Sequence, residues 1–352
     1  MTAKMLGINI PSKVSEIPRD YDGFVFISDI DKTYLITQID SLGGLIKAAL
    51  EAPEGKENVP GFAILLRALR RGAAPEARAN PLFFVSASPP QMRQKLLAKM
   101  EYDGLEHEGI ILKDQFKHVR KADFKKLYEQ IGYKVSALLS VWNELPAKSK
   151  LIFFGDDSES DAIIFSLFSE ILAKSVKPAK LVELLKFLGV SRVDAIKIGW
   201  VARGVKTPVF PVRAAFINLV TGTSPDYYTK ISPFFMASEN TLQSALCFWE
   251  KGLIRTRALR SIARDLVINY DFEPEKLLES LMRGSERGLY SREGFRMVWA
   301  YLAQEELLPD SPDDAEPCQG EVCPNVRLWE ETSLGRSSFA ELKFRYTDES
   351  DY

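Results

Sequence analysis

An α/β fold is what this 352-residue sequence predicts: a parallel sheet with helices on both faces, then a mostly helical C-terminal region. Three observations lead there. Short apolar runs rich in β-branched and aromatic residues alternate with helical stretches from residue 24 to 172, the pattern of βαβ units with right-handed crossovers. Three of the runs end in polar clusters, Asp29/Asp31/Thr33, Ser86/Ser88 and Asp156/Asp157. Parallel strands bring such ends to one sheet edge, where open α/β sheets bind ligands. From 240 to 308 the pattern is mostly helical.

The elements follow in order. Residues 24 to 27 are a buried strand, with Asp29 and Asp31 just past it. Between 34 and 50 the Gly43-Gly44 pair opens a loop leading into a helix at LIKAAL. FAILLRALRRG, after Pro60-Gly61, is an amphipathic helix whose basic last turn suits the helix dipole and whose Gly72 is a C-cap. PLFFVS, 81 to 86, is the second strand, and Ser88 is read as the N-cap of the helix QMRQKLLAKM. GIILKDQF is a third strand ending near Lys113 and Asp114. Helices over 121–131 and 135–144 flank a break at Gly132. LIFF, 151 to 154, precedes Gly155-Asp156-Asp157, and 162 to 172 is helical. Residues 178 to 188 are a helix and 214 to 220 a last strand. Within the helical region, 254 to 267 puts Leu259, Ile262 and Leu266 on one side and Arg257, Arg260 and Arg264 on the other, a surface helix with a solvated basic face. The domain reading is 1–225 for the α/β unit, 226–308 for the helical region and 309–352 for an acidic, proline-rich flexible tail.

Composition narrows the function. Apolar residues make up 46%, enough for a sizeable core, and the net charge of −2 gives no field for nucleic acid. Three cysteines, Cys247, Cys318 and Cys323, are too few for a disulfide framework. The first 20 residues are neither a secretory signal nor a transit peptide, so a reducing, cytoplasmic setting is expected. With only His107 and His118, a histidine metal site or a Ser-His triad is a poor fit, and no nucleotide-binding glycine motif occurs.

Two carboxylates spaced D-x-D can serve as nucleophile and general acid/base on a phosphoryl group. They repel that anion unless a cation lies between, and a hard ion with oxygen ligands, Mg²⁺, fits. GDDSESD, 155 to 161, supplies further carboxylate, and Ser86 is placed to hold a phosphate oxygen. Lys113, Lys117 and Lys134 are candidates for the fixed positive charge that offsets the transition state. Taken singly, each feature has an ordinary structural reading. A lone DxDxT occurs in plain loops, and Asp or Ser near a helix start is favoured as a cap.

The ordered set DxDxT, strand-Ser, Lys and GDxxxxD resembles the haloacid dehalogenase-like phosphohydrolases, whose sheet is Rossmann-like. More closely, FVFISDIDKTYL, FFVSASPPQ, GYKVSALLSVWNELP and LIFFGDDSESD look like the catalytic domain of the yeast actin-patch phosphatidate phosphatase family, over about residues 20 to 175. The resemblance implies roles by position. Asp29 is the nucleophile that becomes an aspartyl-phosphate. Asp31 is the general acid/base, with its backbone carbonyl on the metal. Thr33 supports the loop, Ser86 binds the phosphoryl group and Lys134 is the phosphate-binding lysine. Mg²⁺ is held by Asp29, Asp31, Asp156 and Asp161, with Asp157 competing with Asp161. The family often has an acidic residue where this chain has Lys32, which adds positive charge beside the site.

The expected function is therefore a Mg²⁺-dependent phosphatase acting on a phosphorylated lipid, small molecule or protein, with peripheral membrane contact if the substrate is phosphatidate. The segment between the first two motifs is too short for a large lid, so the site is open to a bulky substrate unless the C-terminal helices cover it. The competing expectation is an inactive member that works as an interaction or scaffold protein through its helical region.

Overall fold

Phe24–Ser28 forms the first strand, β1, because five consecutive side chains of this run can all be buried, as a strand covered on both faces requires. In the computed structural model the described residues are 2–36, 57–74, 78–113, 123–158, 160–207 and 210–310. The helix expected within 34–50, Lys117, His118, Cys318, Cys323 and the tail from 311 lie outside them.

In chain order the elements are α1 (Thr2–Leu6), β1, α2 (Phe62–Arg71), β2 (Leu82–Ser86), α3 (Arg93–Tyr102), β3 (Gly109–Leu112), α4 (Asp123–Glu144), β4 (Lys150–Asp156) and α5 (Asp161–Leu172). Then come α6 (Pro178–Phe187), α7 (Arg192–Gly204), β5 (Val212–Asn218), α8 (Pro225–Ile231) and β6 (Phe235–Ser238). The chain closes with α9 (Thr241–Glu250), α10 (Thr256–Arg264), α11 (Pro274–Glu286) and α12 (Arg292–Gln304). The six strands form one parallel sheet in the order β3-β2-β1-β4-β5-β6. This is a Rossmann-like order, and it reverses direction between β1 and β4.

Alternation along β1 divides the core. Phe24 and Phe26 point into one layer, with α2 and the helices after β6; Val25 and Ile27 point into the other, with α4 to α7. The C-terminal helices thus cover one face of the sheet. Phe26, Phe154, Phe216 and Phe248 meet there, Phe216 and Phe248 with ring centroids 4.4 Å apart. Burying each such side chain contributes about 1.5–3 kcal/mol. In α10, Leu259 and Ile262 are buried, and Leu266 is buried in the π-turn that follows. Arg257, Arg260 and Arg264 are exposed, as the spacing predicts.

Some expectations are corrected. Gly132 does not divide two helices: α4 runs unbroken from Asp123 to Glu144. The glycine answers to packing, since a Cβ there would lie 2.7 Å from Val190 Cγ1, so its helix-weakening backbone is kept for close approach. Ser88 is not an N-cap. The chain turns through a 3₁₀ segment, Pro90–Met92, capped at Pro89 without a side-chain bond, before α3. Four elements were not read at all: α1, α7, α8 and β6. β6 pairs with β5 from Ala215↔Phe235 to Asn218↔Ser238, so the sheet continues past residue 225.

Candidate active site

The site lies where the strand order reverses, at the carboxyl ends of β1 and β4, the place where open α/β sheets bind ligands. After Ser28 the chain crosses to β4, with Asp29 N donating to Phe154 O at 2.9 Å. It then closes a tight loop. Tyr34 N and Leu35 N both donate to Ile30 O at 2.9 Å, and Lys32 N donates to Leu35 O at 2.7 Å. Lys32 has φ +58°, a left-handed conformation uncommon for a residue with a Cβ. Asn218 Nδ2, from the end of β5, donates to Lys32 O at 3.3 Å and ties the loop to the sheet.

Asp29, Asp156 and Asp161 are all buried, and each offers a carboxylate oxygen within 4.8 Å of the others. Lys134, buried in the middle of α4 rather than at a helix start, reaches in from the side. Its Nζ forms an ion pair with Asp29 Oδ1 at 2.8 Å and donates to Asp161 Oδ1 at 2.7 Å. One ammonium set among three buried carboxylates leaves the cluster strongly anionic, and buried charge of that kind calls for a further cation. The donors are all hard oxygens, the chemistry of Mg²⁺ or Ca²⁺ rather than of a soft metal.

Asp161 begins α5 and is fully buried; its Oδ2 accepts from Asp156 N at 3.3 Å. Asp157 turns elsewhere. Its carboxylate accepts from Val220 N at 2.7 Å, Thr221 N at 2.9 Å and Thr221 Oγ1 at 2.7 Å, holding the loop after β5. Of the two competing carboxylates, only Asp161 stands in the cluster. Thr33 Oγ1 is 3.5 Å from Asp156 Oδ2, at the limit of a hydrogen bond. Asp156 Oδ1 is held more firmly by Ser158, through N at 2.6 Å and Oγ at 2.5 Å.

Asp31 stands apart from the three-carboxylate cluster. Its Oδ2 accepts from Ser86 Oγ and Ser88 Oγ, both at 3.0 Å, while Ser88 N donates to Ser86 Oγ at 2.9 Å. The two carboxylates of D-x-D therefore have different surroundings: Asp29 faces an ammonium and two other acids, Asp31 faces hydroxyls. That difference suits a nucleophile and an acid/base partner drawn from one loop. Lys113 lies just past the end of β3.

Ser158 and Asn218 were not singled out as site residues in the sequence, and Ser88, noted beside Ser86 in a strand-end cluster, was given only a capping role. Ser88 had a signal: S-x-S at the end of β2 repeats the D-x-D spacing after β1. Asn218 and Ser158 had none, because their partners are fixed by strand register and by the turn into α5. Beside the loop lies a cavity of about 370 Å³ whose lining includes Lys32, Ile36, Asn218, Val220, Asn240, Leu266 and Phe272. The D-x-D loop and the C-terminal helical region thus meet around one space.

Residues 24–179 match the family model described as phosphatidate phosphatase APP1, catalytic domain. The match spans a little under half of the chain, from β1 to the start of α6, and contains Asp29, Asp31, Ser86, Lys134, Asp156 and Asp161. No curated protein and no solved structure matches the chain.

Proposed function

We propose that this protein is a Mg²⁺-dependent phosphatase working through an aspartyl-phosphate on Asp29, with a lipid phosphate such as phosphatidate as its substrate, a reading supported by the match of residues 24–179 to the family model described as phosphatidate phosphatase APP1, catalytic domain. The observation that supports it most is the juxtaposition of Asp29, Asp156, Asp161 and Lys134 at the switch point of the sheet.

Asp29, Asp156 and Asp161, with the backbone carbonyl of Asp31, would hold the metal, which when bound neutralises phosphoryl charge and lets an anionic ester approach carboxylates. Lys134 restrains Asp29 and Asp161 and adds positive charge that persists through the transition state. Asp29 attacks phosphorus in line, forming an O–P bond as the ester O–P bond breaks. Asp31 gives its proton to the leaving alkoxide. It then takes a proton from the water that attacks the aspartyl-phosphate, so phosphate leaves and both aspartates return to their starting forms. Ser86 and Ser88 orient Asp31, and Ser86 turns its hydroxyl to the phosphoryl oxygens when substrate is bound. Lys32, inside the loop and at the wall of the adjoining cavity, meets the substrate beyond the phosphate. Among the described residues no helix is long and apolar enough to cross a membrane, so a lipid would be reached from the surface.

The test is phosphate release from p-nitrophenyl phosphate and from phosphatidate vesicles, with Mg²⁺ or with chelator. Wild type releases phosphate only with the metal, and Asp29→Asn falls to background while keeping its fold. Equal release by Asp29→Asn would remove the catalytic reading. An inert wild type on both substrates would favour the scaffold reading.

A further inference from the structure

The helix pair α6–α7 presents several large apolar side chains to solvent. Phe187 is 50% exposed, Val193 62%, Ile196 51% and Trp200 57%. The last three recur at i, i+3 and i+7, so they form one stripe along α7. Exposed large apolar side chains are ordinary when scattered and informative when contiguous.

Charge singles out the same segment. Residues 174 to 206 hold eight basic side chains and two acidic ones, in a chain whose net charge is −2. Ser191 caps α7, its Oγ accepting from Asp194 N at 3.1 Å and donating to Asp194 Oδ2 at 2.7 Å, and Asp194 pairs with Lys197 at 3.5 Å. Lys180, Lys186, Arg192 and Arg203 are exposed and make no ion pair among the described residues. A surface evolved only for solubility needs neither the apolar stripe nor a one-signed charge excess. The combination of an aromatic-bearing apolar face with flanking unpaired cations is that of a helix lying in the headgroup region of an anionic bilayer. Trp and Phe suit such a boundary, and Lys and Arg can lie along it with their charge among the headgroups.

Position ties this surface to the site. Val190, in the α6–α7 turn, packs against Gly132 of α4, two residues from Lys134. Gly132 and Lys134 are about 3 Å apart along the axis of α4 and on opposite sides of it, so the turn sits at the same end of α4 as the candidate site, with Phe187, Arg192 and Val193 flanking it in sequence. The matched family segment ends at residue 179, so the surface lies almost wholly beyond it.

We propose that α6 and α7 form a membrane-docking surface for anionic lipid, with Phe187, Val193, Ile196 and Trp200 inserting at the headgroup boundary. The proposal deepens the lipid-phosphate reading by naming the surface that meets the bilayer, and its physics does not require an active site.

The test is co-sedimentation of the full chain with vesicles of phosphatidylcholine, or of phosphatidylcholine with one third phosphatidylserine, in low and high salt. Neither lipid is a phosphomonoester, so binding is read apart from turnover. The wild type binds the anionic vesicles at least tenfold more tightly, and high salt weakens it. Lys186→Glu/Arg192→Glu and Ile196→Ser/Trp200→Ser each lower binding at least tenfold, since each cation near the surface is worth about fivefold. Circular dichroism and unfolding midpoints establish that both variants fold. Trp200→Phe removes the quenching of tryptophan emission by brominated lipid. The proposal is overturned if wild type ignores anionic vesicles, if folded variants bind as wild type does, or if the face proves to be a dimer interface that Trp200→Ser dissociates.

Discussion

Lys134 is the most exacting point of the site, and Lys134→Met tests it. Its Nζ lies 2.8 Å from Asp29 Oδ1 and 2.7 Å from Asp161 Oδ1, with all three residues buried. At an effective dielectric of about 20, each contact is worth roughly 6 kcal/mol of attraction. Without the ammonium, three carboxylates remain within 4.8 Å of one another, each ionised pair repelling by about 3.5 kcal/mol on the same scale. Relaxation of the site and entry of water relieve part of this, so the net loss is about 3–5 kcal/mol, the usual result of breaking a buried pair. Methionine keeps the length of the stem, so lost packing contributes little. The assay is urea unfolding followed by tryptophan fluorescence at pH 8, in chelator or with Mg²⁺, beside the exposed control Lys148→Met. The loss is largest in chelator and is partly recovered by Mg²⁺, which restores positive charge among the carboxylates. A Lys134→Met protein within about 1 kcal/mol of wild type at pH 8 in chelator would refute the electrostatic account.

Ser88→Ala removes one of the two hydroxyls on Asp31 Oδ2. An ordinary hydrogen bond is worth about 0.5–1.5 kcal/mol, so kcat should fall several-fold with KM little changed, and an unchanged kcat would contradict the role. Ser86→Ala should lower kcat and also raise KM, because Ser86 is assigned to the phosphoryl group as well. Gly155→Ala places a Cβ 2.6 Å from both Cβ and Oδ2 of Asp161. The Mg²⁺ concentration giving half-maximal phosphate release should rise about tenfold or more, and an unaltered metal requirement would count against Asp161 as a ligand. His107 is a stability probe away from the site. Burial against Phe84, then the charges of Lys13, Arg70 and Arg93, push its pKa down to about 4. Between about pH 6.5 and 4 the unfolded chain binds a proton there and the folded chain does not, so stability falls as pH falls through that window. From pH 7 to pH 5 the wild type should lose about 2 kcal/mol more than His107→Gln in urea unfolding; equal slopes would show that the imidazole is solvated.

The sheet was legible because its strands are buried on both faces and therefore read as continuous apolar runs. β6 escaped because FMAS, 235 to 238, is four residues long and carries no β-branched side chain. The Gly132 break was misread for a physical reason: the glycine serves a contact with Val190, 58 residues on, and such a contact has no local signature. Among the candidate site residues, the ones on loops directly after strands were legible, because parallel topology alone brings Asp29, Ser86 and Asp156 to one edge. What each side chain touches was not. Asp157 and Asp161 are equally acidic and close in sequence, and the helix start at Asp161 turns one into the cluster while the loop after β5 captures the other. Ser88 looked like a helix cap, and Pro89-Pro90 instead set up a turn that leaves its hydroxyl for Asp31.

The central claim is that Asp29 becomes covalently phosphorylated. The direct measurement is an acid quench of wild type turning over a phosphate-labelled substrate with Mg²⁺, followed by peptide mapping. The account predicts hydroxylamine-sensitive label on the peptide holding Asp29, accumulating further in Asp31→Asn, where hydrolysis of the intermediate slows, and absent in Asp29→Asn. Robust turnover with no label on that peptide, or label that persists in Asp29→Asn, would contradict it.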